Sequence, residues 1–209
     1  MTHTTSLHVI SSGQSSTLKE LHQAVRRMNA IIETIPWIQA IEILTHNIIH
    51  MNASPARKLI KLTKLANKLN EALRPHYTCR KGCCSCCSMN TLIYRYEAVR
   101  LAEVTNRKMI ELPFRSYHKV LSAGKLVYGK QCVFVVDGLC SVYEHRPMVC
   151  RLHHSFNASS KDCTVTGDIS EVFHLAMFDP DYIETPYHHI VRTSMPKEPW
   201  GGIREFFPE

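Results

Sequence analysis

Residues 79–87 read CRKGCCSCC, five cysteines in nine positions, separated only by a glycine, a serine and two basic residues. A disulfide framework, a metal site, a redox catalyst and a cysteine-rich loop all use runs of this kind, and the choice decides how the rest of the chain must fold around it. Thiolates that bind a borderline metal converge on it at about 2.3 Å, and a tight turn carrying two of them is the simplest way to bring them there. Cys83-x-x-Cys86 has this knuckle spacing, and Gly82 supplies backbone freedom beside it. Cys79 can close the same site from the preceding turn. Adjacent side chains are expected to diverge, so Cys86 and Cys87 point to two ions or to two edges of one cluster.

The compartment narrows the choice. The opening MTHTTSLHVISSGQSS has neither a basic n-region nor an apolar h-region, so the expectation is a cytoplasmic protein kept reduced. No apolar run is long enough to span a membrane. Nine cysteines in that setting favour metal or redox chemistry over disulfides. At 209 residues the chain can bury roughly 70% of its extended surface, so it does not need a metal merely to fold.

The distant cysteines complete the set. Cys132 and Cys140 flank an Asp137-Gly138 turn, Cys150 follows a proline-stiffened segment, and Cys163 follows a polar loop. With Cys84 set aside as a spacer, eight remain: Cys79, Cys83, Cys86, Cys87, Cys132, Cys140, Cys150 and Cys163. Eight thiolates fit two four-sulfur sites or one larger polynuclear site, holding zinc, iron or an iron–sulfur cluster. Arg80, Lys81 and Arg151 favour the deprotonated sulfurs. His153 and His154 have chelating spacing from Cys150, but eight thiolates already fill two tetrahedral sites.

CRKGCCSCC followed by CSVYEHRPMVCR (140–151) resembles the YkgJ-like cysteine-cluster family, described as a zinc- or iron-chelating domain, whose relatives include the flagellin lysine N-methylase. The family pattern is a cysteine, a short gap and C-x2-C-C, then a later cysteine pair ending in Tyr-x-x-Arg-Pro-x-x-Cys-Arg. Cys79, Cys83, Cys86 and Cys87 match the first part. Cys132, Cys140, Tyr143, Arg146, Pro147, Cys150 and Arg151 match the second, and Cys163 fits a later cysteine of some branches. Cys84 departs from the pattern by filling a spacer position. The resemblance implies a bound metal and leaves the activity open. Tyr143, Arg146 and Arg151 are expected to support the thiolates from behind, since metal-bound sulfurs need surrounding donors to hold and tune them.

The expected fold is mainly α with a short β hairpin and long loops around the metal, with α+β as the second choice. Residues 1–16 read as a disordered tail, 17–75 as a helical region packed on the metal domain, 76–178 as the cysteine domain and 179–209 as a C-terminal extension. A helix begins at Thr17 and ends at Pro36; a second spans 37–51; a third starts after Ser54-Pro55 and stops before Pro75. Further helices are expected over 94–104, 114–124 and 168–178, and residues 132–140 form a strand entering the Asp137-Gly138 turn.

Charge is concentrated. Residues 57–81 carry eight cations against Glu71, a net of +7 that equals the charge of the whole chain. Lys61, Lys64 and Lys68 are therefore candidates for contact with an acidic protein or phosphate, against the alternative of a solvated helix face. No aromatic residues interleave with them, which argues against nucleic acid. Three functional readings follow: a zinc- or iron-chelating protein of unassigned activity, an iron–sulfur enzyme of the protein-lysine N-methylase or redox type, and a zinc-stabilised adaptor binding an acidic partner or nucleic acid through the basic helix 57–74. Whether the chain is an enzyme stays open at this stage.

Overall fold

A computed structural model describes residues 9–11, 18–125, 127–165 and 172–208. Strand β1 (Val9–Ser11) is followed by α1 (Leu18–Glu33), α2 (Pro36–Gln39), α3 (Ile41–His50) and α4 (Pro55–Leu73). The cysteine run follows a 3-10 turn at Arg74–His76 and ends in a second at Ser85–Ser88, which holds Cys86 and Cys87. Next come β2 (Leu92–Tyr94), α5 (Arg95–Thr105), α6 (Tyr117–Lys125), the hairpin β3 (Val135–Val136) and β4 (Leu139–Cys140), and α7 (Met148–Leu152). The chain ends with β5 (Val172–His174), α8 (Asp181–Ser194), β6 (Trp200–Gly202) and α9 (Ile203–Phe206). The strands pair as three antiparallel two-stranded ribbons, β1 with β5, β2 with β6 and β3 with β4. The molecule is thus mainly helical, with short strands, as expected.

Helix α4 shows how sequence sets structure. Ser54 caps it by accepting the Arg57 N–H at 3.3 Å, and Pro55 occupies the first turn, where no N–H partner is required. Leu59, Leu62, Ala66, Leu69 and Leu73 recur at helical spacing and are buried together. They meet Met28 of α1, Ile41 of α3, Met148 and Leu152 of α7, and Ile183 and Ile190 of α8 in the largest core. Asn70 donates to the Arg151 carbonyl at 2.7 Å, and the Arg151 guanidinium donates to Asn67 Oδ1 at 2.6 Å. These bonds fix α7, and with it Cys150, against α4.

Two further apolar clusters carry the cysteine loops. Ile93, Leu101, Phe134, Val142, Ile203 and Phe206 form one, against which Cys132, Cys140 and Val149 pack. Cys163, Leu175 and Met177 form the other, with Met89 and Val165 against it.

Several elements differ from expectation. The helix expected over 37–51 is divided, because the Ala40 N–H turns back to the Trp37 carbonyl at 3.3 Å, closing one short helix before the next begins at Ile41. Both Ile38 and Ile41 are thereby buried. Instead of the helix expected over 168–178, residues 172–174 form a strand, while 166–171 lie outside the described residues. Leu175, Ala176 and Met177 are buried in succession, a pattern no single helix face produces. Val9–Ser11, read as part of the disordered tail, pairs with that strand. Residues 1–8 and 12–17 lie outside the described residues. The C-terminal extension supplies α8 and a buried face of Ile183, Pro186, Tyr187, Ile190 and Val191.

Candidate metal centre

The run 79–87 is held by local turns. Gly82 takes φ +88°, a left-handed conformation that costs glycine little, and the Cys83 N–H returns to the Arg80 carbonyl at 2.9 Å. The Cys87 N–H bonds the Cys84 carbonyl at 2.9 Å and the Met89 N–H the Cys86 carbonyl at 3.1 Å. At the hairpin, Asp137 (φ +51°) and Gly138 (φ +72°) give the two consecutive left-handed residues that a tight two-residue loop needs. The Val135 N–H bonds the Cys132 carbonyl at 3.0 Å and Val135 pairs with Cys140, so the hairpin carries Cys132 and Cys140 on one short ribbon.

All nine cysteines are free thiols; Cys163 is buried and the others are half-buried. Burial raises the thiols of Cys79, Cys132, Cys140 and Cys150, and pushes Cys163 up to about 12. Their mutual repulsion adds to this: Cys163 senses Cys79 and Cys83, and Cys150 senses Cys132, Cys87 and Cys140. A hydrogen bond between the neighbouring thiols raises Cys86 well above its ordinary value and lowers Cys87 to about 7, with Arg204 also favouring the Cys87 thiolate. The adjacent side chains of Cys86 and Cys87 therefore meet rather than diverge, because the 3-10 turn at Ser85–Ser88 curls them together.

Opposing the repulsion are donors aimed at sulfur. The backbone at Ser155 serves Cys79, that at Phe134 serves Cys132, and that at Val142 serves Cys140. In the last two the N–H lies two residues after its cysteine, a turn that points it back at the sulfur. Such bonds stabilise thiolate over thiol. Among the described residues no three histidine, cysteine or carboxylate side chains already stand as a coordinating set. Crowded, buried thiols cannot all ionise without a cation, and metal binding releases their protons. The soft donors, their N–H supports and the nearby guanidinium groups fit a thiolate-bound metal.

Other expected residues have separate positions. Arg146 stacks on Tyr143, with its guanidinium carbon 3.9 Å from the ring centroid. Its charge acts on both Cys79 and Cys140, and its buried Nε has no hydrogen-bond partner among the described residues. Arg151 is spent on Asn67 and on the Glu144 carbonyl, at 2.6 and 2.7 Å. Cys84 accepts from Gln131 Nε2 at 3.8 Å. His154 stacks on Tyr77 with ring centroids 4.3 Å apart, and burial lowers His153 to about 4 and His154 to about 3, keeping both neutral. Lys61, Lys64 and Lys68 lie on the exposed face of α4, where the Lys68 ammonium sits 4.2 Å from the Trp37 ring centroid.

Sequence reasoning missed two residues that hold the centre. The buried Arg204 donates to the carbonyls of Cys87 and Lys130, to Met89 at 2.9 Å and to Gln131 at 3.1 Å. Its only sequence signal is an arginine inside the apolar segment IREFF. Glu97 accepts the N–H groups of Tyr94 and Met148 at 3.2 and 2.9 Å, tying α5 to the start of α7; burial raises its carboxyl above the usual range. A cavity of about 190 Å³ beside it is walled by Tyr94, Tyr187, His188, Trp200 and Val149, the last of these next in sequence to Cys150. His188 is half-buried there and shares a 2.9 Å hydrogen bond with the Tyr94 hydroxyl.

The molecule is mainly helical, and its nine free thiols lie outside its largest core. Residues 78–166 match the CxxCxxCC family model, described as "Putative zinc- or iron-chelating domain", so this segment carries the cysteine-cluster domain of that family. No curated protein and no solved structure matches the chain.

Proposed function

We propose that Cys79, Cys83, Cys86, Cys87, Cys132, Cys140, Cys150 and Cys163 bind zinc or iron as thiolates, and that this centre cross-links the loops carried by the helical core. One observation carries the reading: residues 78–166 match a family described as a zinc- or iron-chelating domain, and the eight thiols, drawn from four separate stretches of chain, all lie within it and form no disulfides. Zinc supplies a redox-inert cross-link when bound, and an iron–sulfur cluster supplies one-electron chemistry.

The chain's own residues prepare the centre. Arg204 sets the carbonyl frame around Cys87, and Arg146 places positive charge near Cys79 and Cys140. No described helix is long and apolar enough to cross a membrane. Purification without oxygen, followed by metal analysis and a visible spectrum, tests the reading. Zinc gives a colourless metalloprotein, and an iron–sulfur cluster gives a brown one that bleaches on reduction. A metal-free protein that keeps its fold and takes up neither ion would overturn it.

A further inference from the structure

We infer that the eight thiols divide into two four-sulfur sites, Cys79 with Cys83, Cys86 and Cys163 in one, and Cys87 with Cys132, Cys140 and Cys150 in the other. This rests on the metal-binding reading above and adds to it the number of centres and the membership of each.

The backbone separates the two groups. On one side, Thr78 donates its N–H to the Ser155 carbonyl at 2.9 Å and its hydroxyl to the Asn157 carbonyl. Asn157 in turn donates to Asp162 Oδ2 at 2.9 Å, immediately before Cys163. The 3-10 turns at Ser85–Ser88 and Ser160–Cys163 also touch. The entry to the cysteine run, with Cys79, is thus stitched to the loop that ends in Cys163. That loop is seated in its own apolar cluster with Leu175 and Met177.

On the other side, Arg204 holds the Cys87 carbonyl together with those of Lys130 and Gln131. This joins the exit of the run to the residue before Cys132. The hairpin couples Cys132 to Cys140, and both pack with Val149, the neighbour of Cys150, against a second apolar cluster.

The run itself divides between the two. Cys83-x-x-Cys86 has the spacing of a thiolate knuckle, and the Ser85–Ser88 turn that carries Cys86 touches the turn ending in Cys163, so this pair joins Cys79 and Cys163. Cys87, whose carbonyl is held by Arg204, goes with the hairpin side. A tetrahedral thiolate site takes four ligands, and the count closes for both.

The test loads the reduced, metal-free full chain with Zn²⁺ and reads stoichiometry by native mass spectrometry, with Co²⁺ charge-transfer absorption as a second readout. The wild type should hold two ions. Cys163→Ser and Cys83→Ser should each hold one, as should Cys140→Ser and Cys132→Ser. Combining one substitution from each group should abolish tight binding. Cys86→Ser paired with Cys163→Ser should still hold one ion, since both strike the same site. Loss of both ions in any single variant, a wild type holding one ion, or no tight ion left in the Cys86/Cys163 pair would overturn the division while leaving metal binding intact. A folded wild type that takes up no ion at all would instead overturn the metal-binding reading beneath it. Using two variants per site keeps the comparison decisive if one of them misfolds.

Discussion

Arg204 donates to the carbonyl of Cys87 and, from the same guanidinium nitrogen, to that of Lys130. One side chain of α9 therefore joins the cysteine run to the segment leading into the hairpin. Replacing it with glutamine would leave several half-buried carbonyls short of donors, at about 1–3 kcal/mol for each one left buried and unpaired. Arg204→Gln should lower unfolding stability by about 2–4 kcal/mol in denaturant titrations. It should also raise amide exchange over 128–136. Lysine keeps the charge but not the planar fork, so Arg204→Lys should recover less than half of the loss.

Removing the metal should act locally. The largest core, built from α1 to α4, α7 and α8, contains no cysteine. A strong chelator should therefore leave most of the far-ultraviolet helical signal intact, while amide exchange rises in residues 79–90, 130–142 and 160–165. Global unfolding on chelation would show that the helices depend on the centre.

Cys84 provides a contrast within the run. Its sulfur accepts from Gln131 Nε2 and so has a partner outside the thiol groups. Cys84→Ser should keep the wild-type metal content, measured by elemental analysis, and should cost less than about 1 kcal/mol of stability.

His154 makes stability depend on pH. Burial first, and then the charge of Arg146, lowers it from 6.5 to about 3, so the folded chain keeps the neutral ring while the unfolded chain takes up a proton below its ordinary value. Its contribution is complete above about pH 6.5 and is lost as pH falls from there toward 3. His154→Phe keeps a ring stacked on Tyr77 and removes the titration. Relative to wild type, its unfolding free energy should rise by about 2–3 kcal/mol between about pH 7 and about pH 4.5. Denaturant titrations at the two pH values measure this difference.

The basic face of α4 should divide unequally. Lys68 lies over Trp37, whereas Lys61 and Lys64 face solvent. Lys68→Ala should cost about 0.5–1 kcal/mol through loss of the cation–π contact. Lys61→Ala and Lys64→Ala should stay within about 0.5 kcal/mol of wild type in thermal denaturation.

Local chemistry made parts of this structure readable. The Leu59–Leu73 stripe, the Ser54-Pro55 start of α4 and the Asp137-Gly138 turn each declare themselves through propensity or periodicity. Helix α8 did not, because Pro180 and Pro186 read as breakers, yet Pro186 is buried within the helix beside Tyr187. The candidate ligands follow from cysteine spacing and from the family pattern. Their grouping does not, since it depends on Thr78 meeting Asn157 and Cys87 meeting Arg204, contacts spanning 79 and 117 positions. Arg204 was invisible for the same reason: its partners are carbonyls, which carry no residue-type signature.

The 117-position span between Cys87 and Arg204 also orders events in time. Closing so long a loop is entropically slow compared with forming the Cys83-x-x-Cys86 turn. During synthesis the first thiols emerge long before the arginine that frames them, so the local pair is available to capture an ion while the hairpin and its clamp are still absent. An ion present at that stage would act as a nucleus, whereas one supplied later would draw the thiols together on an already folded chain. Refolding with Zn²⁺ present from the start, compared with delayed addition, separates the two routes: a faster approach to the native state in the first case identifies the metal as a participant in folding rather than its final addition.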